Sequence, residues 1–357
     1  MGQVANLRRI ANPPTSEHAG WLNWRDDIPP QVGNLPHTAM TTATILSQFP
    51  KLRVLVVGDV CLDRWCRYDP ALADPSRETG IPRIGVIGTE TTPGAAGTIA
   101  ANVAALKAQV GVLGIVGCDG FGFELNQALK RSGIASYVVQ SPQVPTFTYT
   151  KLINSRTGEE DLPRVDFVYT LPVPAGLEVQ LTRKLEELAP SCDVILVSDQ
   201  AETDHGGVIT PRLREALTRI AIAHPEIVVW VDSRLRAEHF RSVIVKINRF
   251  EANEACKRTG LADWSALRRR IEAPVLMITR GGNGVHVVHG GIPQLVPTSD
   301  VPKPVDICGA GDSFSAGAAL ALKVTGDPIA AAQFGNRVAG VTIMKKGTGT
   351  ASPEELL

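Results

Sequence analysis

Short apolar runs rich in β-branched residues alternate with amphipathic stretches along most of the chain. The runs lie at 53–58, 111–116, 194–198, 227–231, 243–247 and 275–279, and the amphipathic stretches lie at 97–108, 176–189, 209–223, 262–272, 312–324 and 327–345. A continuous apolar run predicts a strand buried on both faces, and a helical period predicts a helix packed on one face. Their alternation predicts an α/β fold with a mainly parallel sheet between two layers of helices.

Two parts of the chain depart from this alternation. The segments 81–88, 145–153 and 165–171 alternate apolar and polar residues with no helical stretch between them, which predicts a small antiparallel sheet standing off the main body. Residues 1–45 are rich in proline and have no regular period, which indicates an N-terminal extension before a domain at 46–357. The extension is either a disordered tail or a segment that docks through Trp21 and Trp24.

A polar residue follows each of five apolar runs. In a parallel sheet the carboxyl ends of the strands meet at one edge, where open α/β folds bind their ligands. The alternative is that these residues merely begin turns, for which Asp and Asn are favoured. The first interpretation predicts one cleft formed by Asp59, Asp199, Asp232, Asn248 and Arg280.

The most specific local pattern is Gly309-Ala310-Gly311-Asp312 at the start of a small-residue helical stretch. Glycines at the mouth of a helix let an anion approach the unpaired N–H groups of the first turn. Asp312 would repel such an anion unless it accepts a proton from a hydroxyl that attacks the bound phosphoryl group. From the residues alone, a role for Asp312 as an ordinary helix N-cap is an equally good interpretation.

Two further patterns carry acidic side chains. Asn248 and Glu251 are three residues apart after a strand, so they either bind Mg²⁺ through water or form a capping box. Asp59 and Asp63 follow the first strand, where their carboxylates are able to bind sugar hydroxyls. The glycine-rich stretch that contains Gly94 precedes a helix, as a hinge or a close-approach turn would.

Composition excludes several other classes of protein. Lys plus Arg and Asp plus Glu number 36 each, so there is no positive surplus for binding nucleic acid. No apolar run reaches the length of a membrane span, and no leader pattern is present at the N-terminus. The six cysteines include no C-x-x-C pair, which fits reduced thiols in the cytoplasm.

Taken in order, the motifs resemble one known family. G-D-x-x-L-D at 58–63, P-G-A-A-G at 93–97, N-R-F-E at 248–251 and D-I-C-G-A-G-D at 306–312 are similar to those of the PfkB/ribokinase carbohydrate kinases, and most to the kinase module of ADP-heptose synthesis enzymes. The resemblance implies a ribokinase-like three-layer α/β/α sandwich with a β-sheet lid. It also implies ATP, Mg²⁺, and transfer of a phosphoryl group to a hydroxyl of a sugar or sugar phosphate such as heptose 7-phosphate.

The resemblance also implies roles for individual residues. Asp312 would be the base, and Gly309, Ala310 and Gly311 would form the anion hole. Asn248 and Glu251 would organise magnesium through water. The remaining expected contacts are Asp59, Asp63, Gly94, Ala95, Thr98 and Asp199 with the substrate, and Asn248, Arg280, Gly281, Asn336 and Arg234 with the nucleotide. Lid strands drawn from about 65–92 and 143–171 would pair two subunits into a homodimer.

This chain departs from the family pattern at five positions. Ala95 replaces a glycine, Thr98 replaces an asparagine found in the heptose kinases, and Cys308 replaces a threonine. Ser233-Arg234 stands where Pro-Lys is usual, so Arg234 is the candidate for the lysine's phosphate contact. These departures keep open a kinase for another sugar, as well as a relative that binds sugar or nucleotide without turnover.

Overall fold

The computed structural model describes residues 40–203, 205, 207–299, 301 and 303–357. Most of the N-terminal extension predicted at 1–45, with both of its tryptophans, lies outside the described residues. The ten helices of the described part are α1 Thr42–Gln48, α2 Ala96–Ala105, α3 Gly120–Arg131, α4 Ala175–Leu188, α5 Pro211–Ala223, α6 Arg249–Thr259, α7 Trp264–Arg270, α8 Ala310–Thr325, α9 Pro328–Thr342 and α10 Pro353–Leu356.

The same ranges contain fifteen strands. They are β1 Arg53–Gly58, β2 Val60–Tyr68, β3 Val86–Ala95, β4 Gln109–Leu113, β5 Ile115–Gly117, β6 Ala135–Ser136, β7 Val139–Ser141, β8 Thr148–Asn154, β9 Val165–Phe167, β10 Val194–Asp199, β11 Val228–Ser233, β12 Ile244–Asn248, β13 Leu276–Thr279, β14 Val285–Val288 and β15 Gln294–Val296.

Nine strands form the main sheet, in the order β15-β14-β13-β12-β11-β10-β1-β4-β6. All neighbours are parallel except β13 with β14 and β14 with β15. Because side chains alternate across a strand, β1 sends Val54 and Val56 into one apolar core and Leu55 and Val57 into the other. The predicted mainly parallel sheet with helices on both faces is confirmed.

A separate sheet of four strands, the lid, has the order β3-β2-β8-β9. The prediction that it is wholly antiparallel is wrong, since β2 and β8 run parallel. Strand β2 follows β1 after a single residue, and its pattern of burial lacks the simple alternation that marks an exposed sheet. The predicted strand at 81–88 lies instead at Val86–Ala95.

The six predicted helices are present with shifts at their ends, but α1 and α3 were not expected. Helix α3 begins with glycines, which favour other conformations, and Asp119 stabilises its start by accepting the Gly122 N–H at 2.7 Å. Helix α1 spans the predicted boundary at 45, because Ile45 and Leu46 are buried in the core. In the described part of the chain, no helix is long and apolar enough to cross a membrane.

Candidate active site

A glycine in the left-handed region opens helix α8. Gly309 has a φ of +77°, and a Cβ atom there would lie 3.4 Å from the side chains of Thr98 and Thr348. Helix geometry leaves the N–H groups of Gly311 and Asp312 without carbonyl partners inside the helix, and the helix dipole adds positive potential. The first turn of α8 therefore has the geometry of an anion hole, and its contact with a phosphoryl group remains a prediction.

The side chain of Asp306 holds the loop that enters this turn. One carboxylate oxygen accepts the N–H of Cys308 at 2.9 Å, and the other accepts the N–H of Gly347 at 3.0 Å. Gly347 belongs to the segment that follows α9. Asp306 thus connects the loop before α8 with the segment after α9.

Asp312 stands in the first turn of α8, half-buried. Burial raises the pKa of its carboxyl to about 7, and the neighbouring carboxylate of Asp232 acts in the same direction. The positive charges of Lys246 and Arg234 oppose this rise. A carboxylate with a pKa near neutrality is a suitable acceptor for the proton of a hydroxyl group.

Below the anion hole lies an ion pair that the apolar pattern of β12 does not predict. Lys246 Nζ donates to Asp232 Oδ2 at 2.7 Å, and Ser315 Oγ donates to the same oxygen at 3.0 Å. A Cβ atom added to Gly311 would lie 2.9 Å from Lys246 Nζ, so the ammonium occupies the space that glycine leaves. The available signal in the sequence was a lysine inside an otherwise apolar strand.

Arg234 lies on the other side of Asp312, directly after β11. Its Nε donates to Gln200 Oε1 at 2.6 Å, and its Nη1 makes an ion pair with Glu202. Its charge lowers the pKa of Asp312 and that of Glu251. The structure therefore places the arginine beside the predicted base, where its contact with phosphate remains a prediction.

Asn248 and Glu251 form a capping box at the start of α6. The Asn248 side chain accepts the Glu251 N–H at 2.9 Å, and Glu251 Oε2 accepts the Asn248 N–H at 2.7 Å. Burial raises the pKa of Glu251 to about 6 despite the nearby Lys246 ammonium. Within the described ranges no group of three or more metal-binding side chains was found. This arrangement suits a magnesium ion held through water better than direct coordination.

The substrate end begins at Asp63 on β2. A Cβ atom at Gly94 would lie 2.7 Å from Asp63 Oδ2 and 2.5 Å from Cys61 Sγ, which explains why this position is glycine. Burial raises the pKa of Asp63 to about 6, whereas the charges of Lys151 and Arg164 lower it. Asp63 also acts on Asp312 electrostatically, so the two carboxylates share one cleft.

Ala95 and Thr98 lie between the lid and the anion hole. Ala95 has a φ of +51°, a conformation that costs a residue with a Cβ atom and that glycine adopts freely. The buried Thr98 directs its hydroxyl to the Pro93 carbonyl at 3.4 Å. Ala95 is less flexible than the glycine of the family pattern, and Thr98 lacks the amide group of the asparagine found in the heptose kinases.

Two cationic side chains of the lid lie near Asp63. Lys151 Nζ is 4.3 Å from the centre of the Trp65 ring, and the Arg164 guanidinium is 4.9 Å from the centre of the Tyr149 ring. Trp65 and Lys151 are direct partners in the parallel pairing of β2 with β8. The sequence did not predict these cations as site residues because their approach depends on that pairing.

Asp59 and Asp199 make contacts within the protein. The Asp59 carboxylate accepts the N–H groups of Gln200 and Ala201 at 2.9 Å and that of Val208 at 2.8 Å. Asp199 is fully buried and accepts the Ser233 hydroxyl at 2.7 Å. Burial and the charge of Asp59 raise the pKa of Asp199 to about 6. In this structure both residues organise the loops beside the cleft, and their contact with a sugar remains a prediction.

Two of the residues predicted for the nucleotide, Arg280 and Gly281, lie in the turn between β13 and β14, whereas Asn248 caps α6 and Arg234 follows β11. Gly281 has a φ of +54° in this turn, which follows Arg280 directly. Asn336 on α9 donates to the carbonyl oxygens of Val296 and Pro297 at 3.4 and 3.2 Å. The amide of Asn336 therefore supports the backbone at the end of β15.

Comparison with known proteins agrees with this geometry. The model of the pfkB family carbohydrate kinases matches residues 52–355. The chain belongs to this family. As a PfkB carbohydrate kinase, it is a phosphotransferase with an alcohol group as acceptor, and membership of a kinase family implies that it uses ATP. The resemblance found in the motifs is thereby confirmed.

Two curated relatives of this PfkB kinase carry the name Bifunctional protein HldE. The protein from Aeromonas salmonicida is 30% identical over 317 residues, covering 87% of this chain and 64% of the relative. The protein from Caulobacter sp. strain K31 is 32% identical over 332 residues, covering 89% and 64%. This PfkB kinase therefore spans less than two thirds of their length.

Solved structures confirm the ribokinase-like fold. Phosphofructokinase-2 from Escherichia coli in complex with potassium gives a TM-score of 0.65 at 18% identity, covering 85% of this chain and 97% of the other. Arabidopsis thaliana ribokinase complexed with ribose and ATP gives 0.60 at 17% identity, with the same coverage of 85% and 97%. At these identities the likeness concerns the fold alone.

Proposed function

We propose that this PfkB kinase transfers the γ-phosphoryl group of ATP to a hydroxyl of a phosphorylated sugar, with heptose 7-phosphate as the leading candidate. The observation that carries the reaction type is the position of Asp312, in the same helical turn as the N–H groups of the anion hole. The observation that carries the substrate class is the pair of cations beside Asp63.

The proposed reaction is an in-line displacement. Asp312 accepts the proton of the acceptor hydroxyl as that oxygen forms a bond to the γ-phosphorus and the bond to the leaving ADP oxygen breaks. The N–H groups of Gly311 and Asp312 hold the oxygens of the transferred phosphoryl group. Arg234 extends the positive potential toward the phosphates of the nucleotide.

Magnesium fits the acidic end of α6 through water. Glu251 uses one carboxylate oxygen in the capping box, so the second oxygen is available to a metal-bound water. Asn248 holds the side chain of Glu251 in that orientation. When bound with ATP, the ion would neutralise charge on the phosphates.

The preference for a phosphorylated sugar follows from the charge of the lid. Lys151 and Arg164 both lower the pKa of Asp63, so their charges reach the point where sugar hydroxyls are expected to bind. Arg164 pairs with Asp166 at 2.7 Å, and Lys151 Nζ lies 3.9 Å from Glu160. A phosphate monoester competes with these carboxylates through charge-assisted hydrogen bonds, which a neutral sugar does not form. The relatives named HldE at about 30% identity support the heptose candidate.

A second candidate is a kinase for a different sugar. It is favoured by Thr98, whose hydroxyl is turned to the Pro93 carbonyl, and by the strained backbone of Ala95. Both residues lie where the heptose kinases contact or enclose their substrate. A non-catalytic binding role has less support, because Asp312 and the glycines around it are retained.

We also propose that two subunits pair through the lid. Ile84, Val86 and Ile87 are about half exposed in this chain, although they are large apolar residues. They lie on or beside β3, an edge strand of the lid, where strand pairing with a second subunit would cover them. Substitution of Ile87 by Glu is expected to convert the dimer to a monomer in analytical ultracentrifugation.

The use of ATP and a sugar phosphate, together with free cysteines, supports a cytoplasmic location.

The decisive experiment is ADP release from Mg-ATP with a panel of sugars. The panel contains heptose 7-phosphate, fructose phosphates, ribose, fructose and nucleosides, and it is repeated with Asp312→Asn. Asp327→Asn serves as the matched control, because Asp327 caps α9 outside the cleft and asparagine caps a helix equally well. Turnover that Asp312→Asn removes and Asp327→Asn retains supports the proposal.

A further inference from the structure

Three carboxyl groups surround the single ammonium of Lys246. Asp232 receives a hydrogen bond from it, and both side chains of this pair are only 6% exposed. The charges of Glu251 and Asp312 act on the same lysine, and together with Asp232 they hold its pKa above the ordinary value although burial lowers it. The hydrogen bond of 2.7 Å to Asp232 favours the protonated form of Lys246 at this buried position.

Burial of the ion pair between Lys246 and Asp232 has a large free-energy cost. Removing two charges from water costs several kcal/mol per ion, and apolar residues of similar size are often as stable or more so. The neighbours of Lys246 on β12, Val245 and Ile247, are fully buried apolar residues, so the strand itself does not require a charge here. A buried ion pair that stability does not demand indicates a role in the site beside it.

The geometry gives the ammonium a fixed place. Asp232 and Lys246 are direct partners in the parallel pairing of β11 with β12. Ser315, one turn along α8 from Asp312, donates to Asp232 from above the sheet. The Lys246 Nζ consequently lies against Gly311, the residue that precedes Asp312, and it cannot move away without depriving Asp232 of its counter-ion.

We propose that Lys246 is a positioning residue that acts through Asp312. Its ammonium, held beside Gly311 by Asp232 and Ser315, offsets part of the charge of Asp232 and so favours the ionised form of the Asp312 carboxylate. This inference rests on the proposed function, in which Asp312 is the base. It adds a required residue, Lys246, that lies outside the motif at 306–312.

Other groups that face Asp312 change its pKa less than Lys246 does, or in the opposite direction. Asp63 on β2 raises the pKa of Asp312, and Arg234 lowers it. Arg234 is half exposed and shares its charge with Glu202, whereas Lys246 is buried. The thiols of Cys61 and Cys308 also face Asp312, and burial raises the pKa of each so that both stay neutral.

The test is a ¹³C NMR titration of the aspartate carboxyl carbons in the full chain, without nucleotide or magnesium. The Asp312 signal is assigned by its loss in Asp312→Asn. Lys246→Met is expected to raise the pKa of Asp312 by about one unit or more, and Asp232→Asn is expected to lower it by a similar amount. Lys246→Arg, which keeps the charge, is expected to shift the pKa much less than Lys246→Met does.

Because the two substitutions are expected to shift the pKa of Asp312 in opposite directions, the titration distinguishes the proposal from a purely structural role. If the pair only supported packing, both substitutions would leave the pKa of Asp312 unchanged or would shift it in the same direction, and the proposal would be overturned. If Lys246→Met does not fold, Asp232→Asn decides alone, since an unchanged or raised pKa contradicts the proposal.

The titration is independent of turnover. An enzyme that phosphorylates no sugar would refute the proposed function but would leave the measured pKa shifts valid. Conversely, a working kinase whose Asp312 pKa ignores both substitutions would refute the role of Lys246 alone. Where turnover is found, the acid limb of kcat/KM is expected to move to higher pH in Lys246→Met and to lower pH in Asp232→Asn.

Discussion

The two sides of the cleft are built differently. Around α8 the charged groups are buried and satisfied within the protein, as the bond of 2.7 Å between Lys246 and Asp232 shows. In the lid the cations are partly exposed, with Lys151 at 23% and Arg164 at 46% of the side chain, and they pair with Glu160 and Asp166 while lying on aromatic rings. The pair of Lys246 and Asp232 is closed to solvent, whereas the ion pairs of the lid remain accessible to a ligand.

This difference matches the family pattern only in part. The first turn of α8 retains Gly309, Gly311 and Asp312, and Ala95 and Thr98 at the substrate end are changed, but Cys308 and Ser233-Arg234 beside α8 depart from the pattern as well. Chemistry common to a family requires fixed geometry, and selection of a substrate tolerates change. We therefore expect substitutions around α8 to affect kcat and substitutions in the lid to affect KM for the sugar.

The largest effect is expected from Gly311→Ala. The new Cβ atom would lie 2.9 Å from Lys246 Nζ and would displace the ammonium from the first turn of α8. We expect kcat to fall by about 100-fold, with little change in KM for the sugar. Gly340→Ala is the matched control, because a Cβ atom there meets nothing within 4 Å. A loss of similar size in both variants, measured by steady-state ADP release, would contradict the proposed rigidity of this region.

The corresponding test of the lid is Arg164→Met. Removing the guanidinium is expected to raise KM for a phosphorylated sugar by about 10-fold while kcat stays nearly constant, since about 1.4 kcal/mol of binding is lost. Arg156→Met, which removes a more exposed arginine of the same lid, should leave both constants unchanged. If Arg164→Met lowers kcat instead, the division between the two regions is wrong.

The pH dependence should also differ between the regions. Asp312, with a pKa of about 7, must be ionised to act as base, so kcat is expected to fall tenfold per unit as the pH drops below about 7. Asp63, with a pKa of about 6, is expected to weaken sugar binding only below that lower value. Profiles of kcat and KM between pH 5 and 9 would separate the two groups. A flat kcat profile would exclude Asp312 as the base.

The smallest effect is expected from Ala95→Gly. Its φ of +51° is strained for alanine, so glycine should raise the free energy of unfolding by about 1 kcal/mol. Ala96→Gly is the control, because Ala96 begins a helix and glycine is unfavourable there. Thermal unfolding compares the two variants. A destabilised Ala95→Gly would mean that the hinge of the lid is not strained.

Parts of the site formed by residues close together in the sequence were predictable, whereas contacts between residues far apart in the sequence were not. The anion hole was predictable because Gly309, Gly311 and Asp312 are neighbours in one helical turn. The bond between Asp232 and Lys246 was not, since it depends on the register of two parallel strands. For the same reason the approach of Lys151 to Trp65 required the unexpected parallel pairing of β2 and β8.

The fold shows the same rule at a larger scale. Long apolar runs predicted the strands of the main sheet, because burial on both faces leaves a continuous signal. Strand β2 belongs to the lid but lacks the regular alternation of an exposed sheet, so only its end, within the lid region expected from about 65, was predicted. Asn248 and Glu251 were placed correctly as a pair at the start of α6, where local spacing alone defines the capping box.

The measurement that tests the central claim most directly is ADP release from Mg-ATP across the sugar panel, with Asp312→Asn and Asp327→Asn measured in parallel. We predict turnover of a phosphorylated sugar, unchanged in Asp327→Asn and reduced at least about 100-fold in Asp312→Asn. Equal turnover by the wild-type chain and Asp312→Asn would contradict the assignment of Asp312 as the base. Turnover of neutral sugars alone would contradict the assigned substrate class.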